Sequence, residues 1–228
     1  MQHDVYQNQT AVQNQNSVLR KTYGLLGLSF IPCALGAFVA ASTGFNLYTA
    51  TGNRWIGFIA VLVFFYGMVF MIERNRYSNV GAALLMVFTF GMGVLISPLL
   101  QYSLSIQGGA GLVGTAALMT AAVFAVMSII AHKANVNLRG LGNFLTVGAI
   151  VLMVGIVAQM FMQLPALSLV LAGGFVVFSS LMIMFQVRQI IEGGEDSHIS
   201  AALSIFISLY NLFSSLLQIL LSFAGNDD

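Results

Sequence analysis

Between residues 23 and 222 the chain is a succession of seven apolar runs, at about 23–43, 55–73, 79–100, 109–131, 141–163, 165–187 and 201–222. Each is near the ~20 residues that a helix needs to cross a bilayer, and the links between them are short. Twelve such runs would not fit in 228 residues. Only 7% of the residues are charged, against about 25% in a soluble domain. Too few charges remain to solvate a globule, whereas a lipid-facing exterior needs none. Barrel strands would alternate apolar with polar residues. Val61, Leu62, Val63, Phe64 and Phe65 are apolar on every side, as is the stretch from Ala121 to Met127. The sequence therefore predicts an all-α integral membrane protein with seven transmembrane helices.

The segment Met1 to Arg20 is polar, with Gln2, Gln7, Asn8, Gln9, Gln13, Asn14, Gln15 and Asn16. It lacks the charged start, short apolar core and cleavage site of a signal peptide. Its small apolar content predicts a disordered tail over 1–20, with a short surface helix from Val12 to Leu19 as the alternative. The expected organisation is that tail, a seven-helix domain over 21–225, and a C-terminal tail over 226–228. A net charge of +1 without a basic cluster argues against nucleic-acid binding. The lone Cys33 lies in an apolar run and reads as a packing residue.

Lys and Arg fix the expected orientation. Alternate segments hold Arg20, Lys21, Arg74, Arg76, Lys133, Arg139 and Arg188 on one side and Arg54 on the other. The positive-inside rule makes the seven cytoplasmic anchors, so the N-terminus is expected inside and the C-terminus outside. Span parity depends on a break between the fifth and sixth runs. Pro165, after Gln163, supplies it, because proline starts a helix well and continues one badly. Pro32 is expected to kink the first span. Glycines inside the spans, such as Gly36, Gly91, Gly93, Gly148 and Gly155, read as close helix packing.

An ionisable residue deep in a span would signal function, but Glu73, Arg74, His132 and Arg188 all fall at predicted ends. No lysine sits mid-span for a Schiff base. No H-E-x-x-H is present, and no paired intramembrane carboxylates. The sequence thus points away from an enzyme and calls for no cofactor or metal. What does stand out is the seventh run, where Ser204, Ser208, Asn211, Ser215 and Gln218 recur at spacings of 4, 3, 4 and 3 and so share one helical face. That face marks either a central helix hydrogen-bonded to its neighbours or the lining of a pore. Gln101, Tyr102, Gln159 and Gln163 suggest an outer polar cluster. The acidic loop Glu192, Gly193, Gly194, Glu195, Asp196, flanked by Arg188 and His198, reads as a solvated turn with local pairing rather than a calcium site.

The last third carries a further pattern: Gly155 to Leu167 (GIVAQMFMQLPAL), then Glu192-Gly193-Gly194-Glu195, then Ser208 to Phe213 (SLYNLF). In this order and spacing it resembles the bacterial Bax inhibitor (TMBIM) family, most closely its YccA-like branch, over about nine tenths of the chain. The resemblance implies a bundle in which six helices surround the less hydrophobic seventh. It also implies a cytoplasmic (inner) membrane protein that binds and restrains the membrane AAA protease FtsH, with or without that protease's membrane-associated regulators. Such proteins are slowly degraded by FtsH from the N-terminal tail. Other family members are pH-sensitive calcium leaks with two aspartates on the last two helices. Alignment on Phe185 and on Asn211-Leu212-Phe213 puts those positions at Gln186 and Ser208, neither of which ionises. A cation leak lined by Ser204, Ser208, Asn211 and Gln218, with pH gating weakened or lost, is the competing expectation.

Overall fold

The computed structural model describes residues 2–133 and 137–224, and all of their side chains except those of 2–14, 48, 49 and 54. The helices are α1 (Gln2–Thr43), the short α2 (Leu47–Ala50), α3 (Arg54–Arg74), α4 (Asn79–Ser105), α5 (Gly109–Lys133), α6 (Leu138–Met162), α7 (Pro165–Ile191) and α8 (His198–Ala224). All but α2 are long and apolar enough to span a membrane. No strand forms among the described residues, and the seven spans match the seven apolar runs. The C-terminal tail 226–228 lies outside the described residues.

Local chemistry sets the helix ends. Gly44 closes α1 at φ +67°, with its N–H donating to Ala41 O and that of Phe45 to Ala40 O, the paired bonds of a Schellman motif. Asn53 starts α3 by accepting the Trp55 N–H at 2.8 Å. Asn137 does the same for α6 through the Gly140 N–H at 3.1 Å. Between α6 and α7 the break falls where Pro165 predicts it. Gln163 turns left-handed at φ 50° and Pro165 opens α7, where its missing N–H costs nothing.

α1 continues unbroken back to Gln2 and takes in Val12 to Leu19, the short surface helix that the sequence offers as the alternative to a tail. Residues 2–20 contain neither proline nor glycine, so nothing in the backbone stops a helix already nucleated by the apolar span from propagating. Pro32 is carried inside α1, as Pro98 is inside α4.

Two compact units are formed, Met1–Tyr102 with Gly193–Phe206, and Ser103–Glu192 with Ile207–Asp228. The first holds an aromatic core. Phe88, fully buried, lies 6.0 Å from Phe64, 5.7 Å from Phe65 and 6.3 Å from Phe206, and Phe206 also meets Phe30 at 5.7 Å. In the same unit α1 and α4 cross backbone to backbone. A Cβ on Gly36 would strike Phe90 O and one on Gly93 would strike Cys33 O. Without a hydrophobic drive between helices in lipid, such close approach supplies the packing energy. In the second unit α7 packs against both α5 and α6.

Candidate functional site

The last span differs from the other six. Half of its most apolar stretch is buried, against 39% or less in each of the others. Along its predicted polar face, Ser208 and Ser215 are buried, Ser204 and Asn211 half-buried, and Gln218 exposed. Gln218 Nε2 donates to Ser168 Oγ on α7 at 2.8 Å, an interhelical bond made by polar side chains in an apolar setting. Asn211 O accepts from Ser214 Oγ at 3.1 Å. Gln186 on α7 and Ser208 on α8 are both buried, and both are neutral. Of the residues read as an outer cluster, Gln101 turns back to Ser97 Oγ at 2.9 Å within α4. Gln159 keeps a buried Oε1 without a hydrogen-bond partner among the described residues, Tyr102 is exposed, and Gln163 forms the α6 turn.

A second polar assembly lies at the ends of α3 and α8, within the first unit. Arg76, just beyond α3, reaches Glu195, Asp196 at 3.5 Å and Glu73 at 3.4 Å. Tyr77 Oη donates to the same Asp196 carboxylate at 2.8 Å. Ser197 carries three of the links. Its Oγ donates to Arg76 O at 2.6 Å, accepts the Ser200 N–H at 3.2 Å, and its own N–H donates to Glu195 Oε1 at 2.9 Å. Ser200 Oγ donates to Glu73 Oε1 at 2.5 Å. Ser197 thus satisfies an orphan donor at the start of α8 while fastening it to α3. Three carboxylates share one guanidinium here, leaving the clasp with a net negative charge. Hydrogen bonding to Asp196 holds the Tyr77 phenol above its ordinary range.

The acidic loop is therefore corrected as a locally paired turn. Glu192 does pair locally, with Arg188 Nε at 2.6 Å, and Glu195 accepts the nearby Ser197 N–H; the ion pairs of Glu195 and Asp196 are with Arg76, 119 and 120 positions away. The signal in the sequence is parity: an even number of spans separates the two segments, which puts both on one side of the membrane. Arg188 is more than an anchor. Its Nη1 donates to Ala131 O at 3.2 Å, one of the last carbonyls of α5 that its own helix leaves unpaired. Of the other expected anchors, Arg20, Lys21, Arg74, Lys133 and Arg139 are exposed. Among the described residues, no group of three or more His, Cys, Asp or Glu is placed to hold a metal ion.

A family model described as "Inhibitor of apoptosis-promoting Bax1" matches residues 15–225. A protein of Neisseria meningitidis serogroup A is 63% identical over 227 residues, covering all of both chains. One from Pseudomonas aeruginosa is 36% identical over 231 residues, again covering both chains fully. The Escherichia coli K12 protein named "Modulator of FtsH protease YccA" is 36% identical over 220 residues, 96% of each chain.

Proposed function

We propose that this chain, which belongs to the Bax inhibitor family, is a multi-pass inner-membrane modulator of FtsH. In this reading it binds that protease laterally through its helices, restrains its action on other membrane substrates, and is itself a slow substrate entered from the N-terminal segment. The observation that carries the proposal is the end-to-end likeness to a protein named for that role, at 36% identity over 96% of both chains. Seven apolar helices and a second relative named as an inner membrane protein support the placement. The seven-to-one division of Lys and Arg supports a cytoplasmic N-terminus and a periplasmic C-terminus.

The reading assigns no catalytic residue to the chain. Residues 1–20 provide the point of engagement, and stable packing of the spans slows extraction. The test is turnover and capture together. The full-length protein should co-purify with FtsH and decay slowly in its presence, and removal of residues 2–20 should abolish the decay. Unchanged turnover without residues 2–20 rejects the entry point, and failure to co-purify rejects the partnership.

One observation favours a second reading, a cation leak. Gln186 and Ser208, which the resemblance aligns with the family's carboxylate pair, are buried polar groups that offer a cation neutral oxygens. Purified protein in calcium-loaded vesicles should then leak, and Asn211→Leu should lower the flux. Silence across pH 5 to 8 rejects it.

A further inference from the structure

We infer that the loop between α7 and α8 is a docking platform for the root of this chain's own N-terminal segment, and that undocking gates entry of that segment into the protease. The inference rests on the modulator reading for its consequence, but its geometry stands apart. Gly193, at φ +76°, has the Gln15 side chain so close that a methyl group there would stand 3.1 Å from Gln15 Nε2, inside ordinary contact distance.

From Gln15 onward α1 keeps a continuous packed face. Thr22 and Leu26 are buried, and Gln15, Val18 and Leu19 are half-buried at helical spacing on the same side. Asn16, Ser17, Arg20 and Lys21 point outward and are exposed. The root of the segment is thus a laid-down helix rather than a free tail. The platform is rigid because Glu195, Asp196 and Ser197 are fixed to Arg76. It is also negative, with Glu73, Glu195 and Asp196 sharing that one guanidinium. The neutral amide at position 15 lies against Gly193, in the loop that carries Glu192, Glu195 and Asp196. A protease that must pull an extended chain has first to lift this root away.

Two experiments on the full-length protein test this. In a Cys33→Ala background, a water-soluble maleimide should label Gln15→Cys severalfold more slowly than Ser17→Cys; equal rates overturn the docking. Charge then tests the gate. Gln15→Glu should be repelled by the platform and shorten the half-life with FtsH by about two- to fivefold, whereas Gln15→Lys should lengthen it by a similar factor. No change, or a change in the same direction for both, overturns the gate. Failure of the parent reading shows separately, as unchanged turnover when residues 2–20 are removed; the gate falls with it, while the labelling rates still decide the docking.

Discussion

Ser200 and Glu73 stand 127 positions apart and meet side chain to side chain, Oγ donating to Oε1 at 2.5 Å, so that the first turn of α8 is tied to the last turn of α3. With Ser197 and Arg76 this contact fixes where the most buried of the spans begins.

Breaking that tie should loosen the first unit. Ser200→Ala strands a carboxylate oxygen and should cost about 1 kcal/mol. Arg76→Gln removes the guanidinium that Glu73, Glu195 and Asp196 share among the described residues and should cost more, about 2 kcal/mol. Thermal unfolding of the detergent-solubilised protein reads both, and an order in which Ser200→Ala is the worse variant contradicts the clasp.

The Tyr77 phenol should ionise above its ordinary 10.0, chiefly because it donates to Asp196. A phenol raised in the fold favours its protonated form. Its contribution to stability is therefore present below 10.0 and lost as pH rises through the higher folded value. Asp196→Asn should bring the Tyr77 titration down, measured by ultraviolet difference against Tyr77→Phe; an unmoved midpoint removes Asp196 as the cause.

Two glycines in one helix pair or its neighbourhood should behave oppositely. Gly93→Ala puts a methyl into Cys33 O at the α1–α4 crossing and should sharply reduce the yield of folded protein. Gly27→Ala meets nothing within 4 Å and should be neutral or slightly stabilising, since alanine favours helix over glycine. Equal tolerance at both sites contradicts the crossing.

Gln163 holds a left-handed φ of 50°, a conformation that costs a residue with a Cβ about 1 kcal/mol. Gln163→Val, whose branched side chain disfavours that conformation, should lower the unfolding midpoint more than Gln163→Asn does, and equal midpoints contradict strain at this turn.

Much of this architecture was legible because bilayer thickness dictates run length, and the break at Pro165 follows from one missing N–H. The helical root of α1 was legible only as an alternative, the surface helix from Val12 to Leu19. A polar segment such as Gln7 to Asn16 has no apolar period of its own, and its helix is inherited from the span it extends. Nor could spacing reveal that Glu195 and Asp196 turn to Arg76, because pairing across 119 and 120 positions depends on where two helix ends arrive. Along the polar face of α8, spacing placed Ser208, Asn211 and Gln218 on one side. Their graded burial, from Ser208 inside to Gln218 outside, depends on neighbours that periodicity alone does not describe.

The most direct measurement of the central claim is the decay of an established FtsH membrane substrate, followed by pulse labelling in cells that overproduce this protein or a form lacking residues 2–20. The account predicts slower decay with the full-length protein, accompanied by its co-purification with FtsH. Decay at the control rate, with nothing co-purifying, would contradict it.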